Sequence, residues 1–315
     1  MMSSDNINAA IDMTAVCASC GIADIDDVKL KDCDGCDLIR YCSDECQRDH
    51  RSQHKKECKK RAAELRDELL FKQPESSYLG DCPICCLPLP LAMKKSTIYD
   101  CCSKFICNGC CFANQIREIE TRLVPSCPFC RKARSETDEE DNKRKMKRVK
   151  ANDPVANRRE GTTQRSKGEY IKAFDYFAKA AELGDAEAHN SLAAMYYHGH
   201  GVEKDGRKEI HHLEEAAIGG HPEARYNLGV IELNRGNTVK AVKHWTIAAT
   251  QGEDVSMKEL MRGFKRGFVE KEVLAAALRA HQAAVNATKS PQREEAEVVF
   301  SAADLAEDRW GTSKA

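Results

Sequence analysis

A chain of 315 residues with 42% hydrophobic and 31% charged side chains has room for two or three domains and the balance of a soluble protein. Its net charge of −1 argues against a surface built globally for nucleic acid, and no apolar run approaches the roughly 18–20 residues that span a bilayer. The polar opening from Met1 to Asp12 has neither the basic nor the apolar stretch of a secretory leader, so the expected setting is reducing, cytoplasmic or nuclear.

In such a setting thiols bind metal rather than pair as disulfides. All 17 cysteines lie between Cys17 and Cys130, and the last 185 residues have none. Five Cys-x-x-Cys pairs stand out: Cys17/Cys20, Cys33/Cys36, Cys82/Cys85, Cys107/Cys110 and Cys127/Cys130. Each sets two thiolates one tight turn apart, a natural bite for tetrahedral zinc with Zn–S near ~2.3 Å. The expected fold is mainly α: two small zinc-stabilised modules followed by an α-solenoid of helix-turn-helix repeats.

The first module spans 15–60. Its ligand candidates are Cys17, Cys20, Cys33, Cys36, Cys42, Cys46, His54 and Cys58, enough for two closed structural zincs. Cys42 and Cys46, like His54 and Cys58, are spaced to share one helix face. Ser43 is the expected N-cap of a Lys-, Arg- and Glu-rich helix over 44–73, with Pro74 as its stop. The run through Tyr41-Cys42-Ser43-Asp44-Glu45-Cys46-Gln47 resembles a MYND-type zinc finger. That resemblance implies interleaved ligands: Cys17, Cys20, Cys42 and Cys46 on one Zn2+, and Cys33, Cys36, His54 and Cys58 on the other. It also implies short Pro-containing peptides as partners and no catalysis. His50 matches a family histidine that is not usually a ligand. Arg51 stands where many members have Trp, which weakens the implied peptide contact. Nothing in the chain suggests the methyltransferase domain some members carry.

The second module spans 80–131, from Gly80-Asp81-Cys82-Pro83-Ile84-Cys85 through Cys101-Cys102-Ser103-Lys104-Phe105-Ile106-Cys107 to Cys127-Pro128-Phe129-Cys130-Arg131. It resembles a RING finger. The resemblance implies one Zn2+ on Cys82, Cys85, Cys107 and Cys110, and a second drawing on Cys102, Cys127 and Cys130, so one or two ions in all. Lys104 occupies the usual histidine position, and a protonated amine has no lone pair to offer. Cys101 is the alternative fourth ligand, although adjacent cysteines make a strained chelate. Cys86 and Cys111 are read as buried small hydrophobes. The resemblance also implies contact with a ubiquitin-conjugating enzyme through Ile84 and Pro128, with Arg131 bracing the thioester. The module lacks a Trp. A helix from Ile116 to Leu123 is expected to pack across the zinc sites.

Residues 132–152 form a charged linker, Glu136 to Asp141 acidic and Lys143 to Lys150 basic, read as a helical or disordered spacer with a nuclear-import signal as the minor alternative. From 153 to 287 the sequence repeats. Ala180-Ala181-Glu182-Leu183-Gly184 recurs 36 residues on as Ala216-Ala217-Ile218-Gly219-Gly220, and Ala248-Ala249-Thr250-Gln251-Gly252 follows after another 32. A period in the thirties with helix-turn-helix units means a solenoid. The marks over 188–220 resemble SEL-one-like repeats, relatives of tetratricopeptide repeats, which implies protein or peptide binding. His211, His212, His221 and His244 are read as surface or packing residues. Residues 288–315 are expected to be a frayed helix or tail.

Two functions follow. One is a RING-type ubiquitin ligase whose finger or repeats hold the substrate, with no side chain doing covalent chemistry. The other is a non-enzymatic scaffold. Protein partners are common to both; membrane and nucleic acid are not expected.

Overall fold

The computed structural model describes residues 16–24 and 28–300. They divide into two compact units, one up to Lys72 and one from Gln73 onward.

The first unit is a small hairpin, β1 (Lys31–Asp32) against β2 (Arg40–Tyr41), beside the long helix α1 (Asp44–Leu70). Ser43 caps α1 by accepting the Cys46 N–H at 3.2 Å, as its position predicts. The helix ends at Leu70, three residues before its expected end at Gln73, because the Phe71 N–H closes the last turn on the Asp67 carbonyl. Most of the core is cysteine thiol: Cys17, Cys33 and Cys36 are buried with Leu30 and Tyr41. So little apolar surface cannot stabilise a unit of this size alone.

The second unit opens with the hairpin β3 (Ser96–Tyr99) and β4 (Lys104–Cys107), which pair antiparallel, and the helix α2 (Asn108–Glu120). This helix begins eight residues before the one expected from Ile116. Its inward face is Cys110, Cys111, Asn114 and Glu118, while Ile119 is 73% exposed. The isoleucines expected to pack across the metal sites therefore face out.

The charged segment that follows takes the helical of the two expected states, and it is docked. Helix α3 (Asp138–Lys150) is capped by Thr137 and lays Lys145 onto Glu160 at 2.7 Å, both side chains about nine-tenths buried. Four antiparallel pairs then stack: α4 (Pro154–Ser166) with α5 (Tyr170–Glu182), α6 (Ala186–His198) with α7 (Gly206–Ile218), α8 (Pro222–Asn234) with α9 (Thr238–Thr250), and α10 (Asp254–Lys265) with α11 (Lys271–Ala287).

The repeated Ala-Ala-x-x-Gly is the turn between pairs. Ala180, Ala216 and Ala248 are fully buried, and their carbonyls accept the N–H of Asp185, His221 and Glu253. The intervening Gly184, Gly220 and Gly252 take φ near +84°, +84° and +91°, the left-handed region that a side chain disfavours. The accepted residue then caps the next helix, Asp185 onto Ala188 and His221, through Nδ1, onto Ala224.

The expected tail is in part ordered. Residues 291–300 form a last helix, α12, started by Ser290 as cap and Pro291 in the first turn. Residues 301–315 lie outside those described. No described helix is long and apolar enough to cross a membrane.

Candidate metal centres

Three of the cysteine pairs sit on the same backbone device. In each, the first cysteine's N–H reaches the carbonyl five residues on: Cys17 to Ile22 at 2.7 Å, Cys82 to Leu87 at 2.9 Å, Cys127 to Lys132 at 2.8 Å. Its carbonyl accepts from the residue four on: Gly21, Cys86 and Arg131, each at 2.9 Å. Those three residues have φ of +77°, +55° and +61°. The tight reversal aims both thiols of the pair to one side. It also puts Cys86 on the surface, where the sequence suggested a buried residue; Cys111 is buried, as expected.

The structure brings the ligand candidates into four quartets, each with its donor atoms within 4.8 Å of one another. In the first unit these are Cys17, Cys20, Cys42 and Cys46, and Cys33, Cys36, His54 and Cys58. In the second they are Cys82, Cys85, Cys107 and Cys110, and Cys101, Cys102, Cys127 and Cys130. Tetrahedral zinc with Zn–S of ~2.3 Å requires sulfur edges of roughly 3.8 Å. Cys33–Cys58, Cys85–Cys107 and Cys102–Cys127 are each at 3.8 Å, Cys42–Cys46 at 3.6 Å and Cys20–Cys42 at 3.5 Å. His54 presents Nε2 at 3.1 Å from the Cys36 sulfur and is 5% exposed. The donor sets are all soft thiolate or imidazole, and both their spacing and their chemistry fit Zn2+.

Three of the thiols, Cys17, Cys82 and Cys130, are biased toward the charged form that a metal needs, while Cys20, Cys42, Cys58, Cys101, Cys102, Cys107 and Cys110 are pushed up by burial and by their neighbouring thiols. The neighbouring Cys107 thiol is the main cause that brings Cys82 down to about 4. At Cys17 burial pushes the other way, but the backbone N–H groups of Cys20, Cys42 and Ser19 bring it to about 6.

The fourth member of the last quartet is Cys101. Both Cys102 and Ser103 donate their N–H to the Tyr99 carbonyl, and Ser103 takes φ +55°. This hairpin turn lets consecutive cysteines reach one centre. Lys104 starts β4 with its side chain exposed. His50 stays outside the quartets and bonds the Tyr41 hydroxyl through Nδ1 at 3.1 Å.

Of the residues expected to meet a conjugating enzyme, Ile84 is 41% exposed and Pro128 is buried. Arg131 is exposed but donates through Nη1 to Asn114 Oδ1 at 2.9 Å. Sequence reasoning missed Phe129, 44% exposed beside Pro128. It also missed Glu118, which accepts from Asn114 and from both the backbone and hydroxyl of Ser126 and so ties α2 to the last metal loop. Burial pushes the Glu118 carboxyl up, but those donors hold it below the usual range.

Comparison with known proteins places names on two regions. Residues 17–58 match the model of the MYND finger, and 160–185, 186–221 and 222–253 match the Sel1 repeat. The chain is 25% identical over 180 residues to the DAP3-binding cell death enhancer 1 of Mus musculus, covering 44% of this chain and 35% of that protein. It is 31% identical over 98 residues to an uncharacterised protein of Neisseria meningitidis serogroup B, covering 29% of this chain and 20% of that one. The chain thus spans about a third or less of the length of these relatives. Among solved structures, a Sel1 repeat protein from Oxalobacter formigenes aligns at TM-score 0.41 and 24% identity, covering 54% of this chain and 70% of that one. The protective antigen c5321 of uropathogenic Escherichia coli, of SLR fold, aligns at 0.38 and 20%, covering 45% and 33%. The chain carries a MYND finger over residues 17–58 and three Sel1 repeats between residues 160 and 253.

Proposed function

We propose that this protein is a scaffold that brings other proteins together, with four structural Zn2+ ions fixing its two finger modules. The carrying observation is the set of four complete quartets. Each supplies four soft donors, which leaves no open coordination position for water activation. The metal then shapes surface and does no chemistry. Residence in a reducing compartment, cytoplasm or nucleus, suits 17 unpaired thiols.

The repeats supply one partner surface. A cavity of about 460 Å³ between α6, α7 and α8 is lined by Asn190, Asn227 and Asn234, with Tyr197 61% exposed at its edge. Side-chain amides along a groove suit the main chain of an extended peptide. The mouse relative is by its name a protein that binds another protein.

A ligase reading is favoured by one feature of the second module. Its four cysteine pairs interleave, first with third and second with fourth, as in RING fingers, and Ile84 and Phe129 lie exposed on the first and last cysteine loops. Two measurements separate the readings. Elemental analysis of the purified chain should give four zincs; two or fewer would remove the metal sites of the second module. A scaffold should transfer no ubiquitin to itself with any conjugating enzyme in a panel. Transfer that is lost in Ile84→Ala would replace the scaffold reading with the ligase.

A further inference from the structure

The last described helix does not end the solenoid. It closes on a metal centre. Arg293 of α12 is 8% exposed, and its guanidinium spreads over four acceptors. Nη1 donates to Pro88 O at 2.7 Å and Thr288 O at 2.8 Å; Nη2 donates to Leu87 O at 3.1 Å and to the Cys85 sulfur at 3.3 Å. Leu87 O is also the acceptor of the Cys82 N–H that shapes this cysteine pair. One side chain therefore holds both the backbone of the loop and one of its sulfurs.

The rest of α12 is cut to fit the same place. Ala296 is fully buried, Phe300 packs edge-on against Phe112 of α2 at 6.1 Å, and Glu297 pairs with Lys95 at 2.9 Å. Gly109, at the start of α2, is where the helices touch: a Cβ there would lie 2.9–3.0 Å from Arg293 Cγ, Cα and N. That approach admits no larger residue without moving α12.

We infer that Arg293 is a positioning residue for the Cys82–Cys85–Cys107–Cys110 centre, so that α12 and the metal stabilise each other. The inference rests on the zinc reading above. Four thiolates on Zn2+ leave two negative charges in a buried setting, where Cys82, Cys107 and Cys110 are at most 5% exposed. A charge-assisted hydrogen bond from a fixed cation offsets that charge and orients the Cys85 thiolate. Losing such an outer partner typically costs about 10–100-fold in metal affinity. A guanidinium in packing contact alone would have no such effect.

The test uses the full chain, with wild type, Arg293→Ala, Arg293→Lys, Glu297→Gln and Cys82→Ser compared by zinc content under graded chelator and by cadmium NMR. In Arg293→Ala one ion should be lost at a chelator level roughly 10–100-fold lower while the others stay. Arg293→Lys should fall between, with one cadmium resonance displaced in both. Glu297→Gln, which weakens an exposed ion pair of the same helix and leaves Arg293 in place, should lie closer to wild type than either Arg293 variant. Equal retention and unmoved resonances in both Arg293 variants would overturn the role of Arg293 and leave the zinc reading standing. If Cys82→Ser lost no metal relative to wild type, the zinc reading of this centre would fall, and the inference with it.

Discussion

At the scale of single residues, the small side chains of the repeats are positions of contact, not mere spacing. A Cβ on Gly229 would come within 2.3 Å of Nε1 of the buried Trp245. Gly229→Ala should therefore destabilise the repeats by about 1–3 kcal/mol, read as a lower urea midpoint. Two half-buried imidazoles set a second expectation. His189 and His212 meet Nδ1 to Nδ1 at 3.0 Å; burial is the main cause that lowers both, His212 to about 4, with His211, Glu215 and Lys208 also facing it. A base whose folded pKa lies below its ordinary value of about 6.5 charges more readily once unfolded. Stability should be level above that pH and fall as pH drops from it toward 4. His212→Asn should show a shallower loss of urea midpoint between about pH 7.5 and about pH 5. The sequence made the ligand pairs legible because spacing alone fixes where a Cys-x-x-Cys can point. It left Cys101 only an alternative ligand, because that residue's reach depends on the turn at Tyr99 and Ser103, which no spacing rule encodes.

At the scale of elements, the charged segment 138–150 is the clearest departure from expectation. Composition reads it as solvated, and most of its side chains are exposed. It is docked by a buried pair, Lys145 with Glu160, supported by Thr163 on the lysine and Gln164 on the glutamate, and by Arg148, which donates to Ser103. Removing one partner leaves a buried charge alone. Lys145→Met should cost about 3–5 kcal/mol in denaturant unfolding, and adding Glu160→Leu should recover most of it. The partner lies 15 residues away on another helix, so local sequence could not announce it. Helix α12 was half legible. Ser290-Pro291 is a helix start that the fading repeat pattern obscured. That its third residue reaches a cysteine loop belongs to tertiary structure alone.

At the scale of the molecule, the second metal module and the solenoid belong to one unit. Arg158 lies over the Phe105 ring at 5.6 Å, Arg159 pairs with Asp100, and Arg148 donates to Ser103 at 3.4 Å. Calorimetry of the metal-loaded chain should therefore give one transition for everything from Gln73 onward and another for the unit before it. Strong chelation should abolish the earlier unit's transition and lower the other, because the solenoid then loses a packed neighbour. Three modules were readable in the sequence from cysteine spacing and the repeat period. Their grouping into two units was not, because it is set by arginines that look like ordinary surface residues.

The hydrogen bond between Arg293 and Cys85 also fixes an order of events in time. The two residues are 208 positions apart. At roughly 5–20 residues per second, a ribosome delivers the guanidinium roughly 10–40 s after the sulfur it serves. The second metal module is made before the solenoid and finished after it. Until then its first centre is held by its own four thiols without its outer partner, and a chain stalled inside the repeats carries that centre in its least protected form.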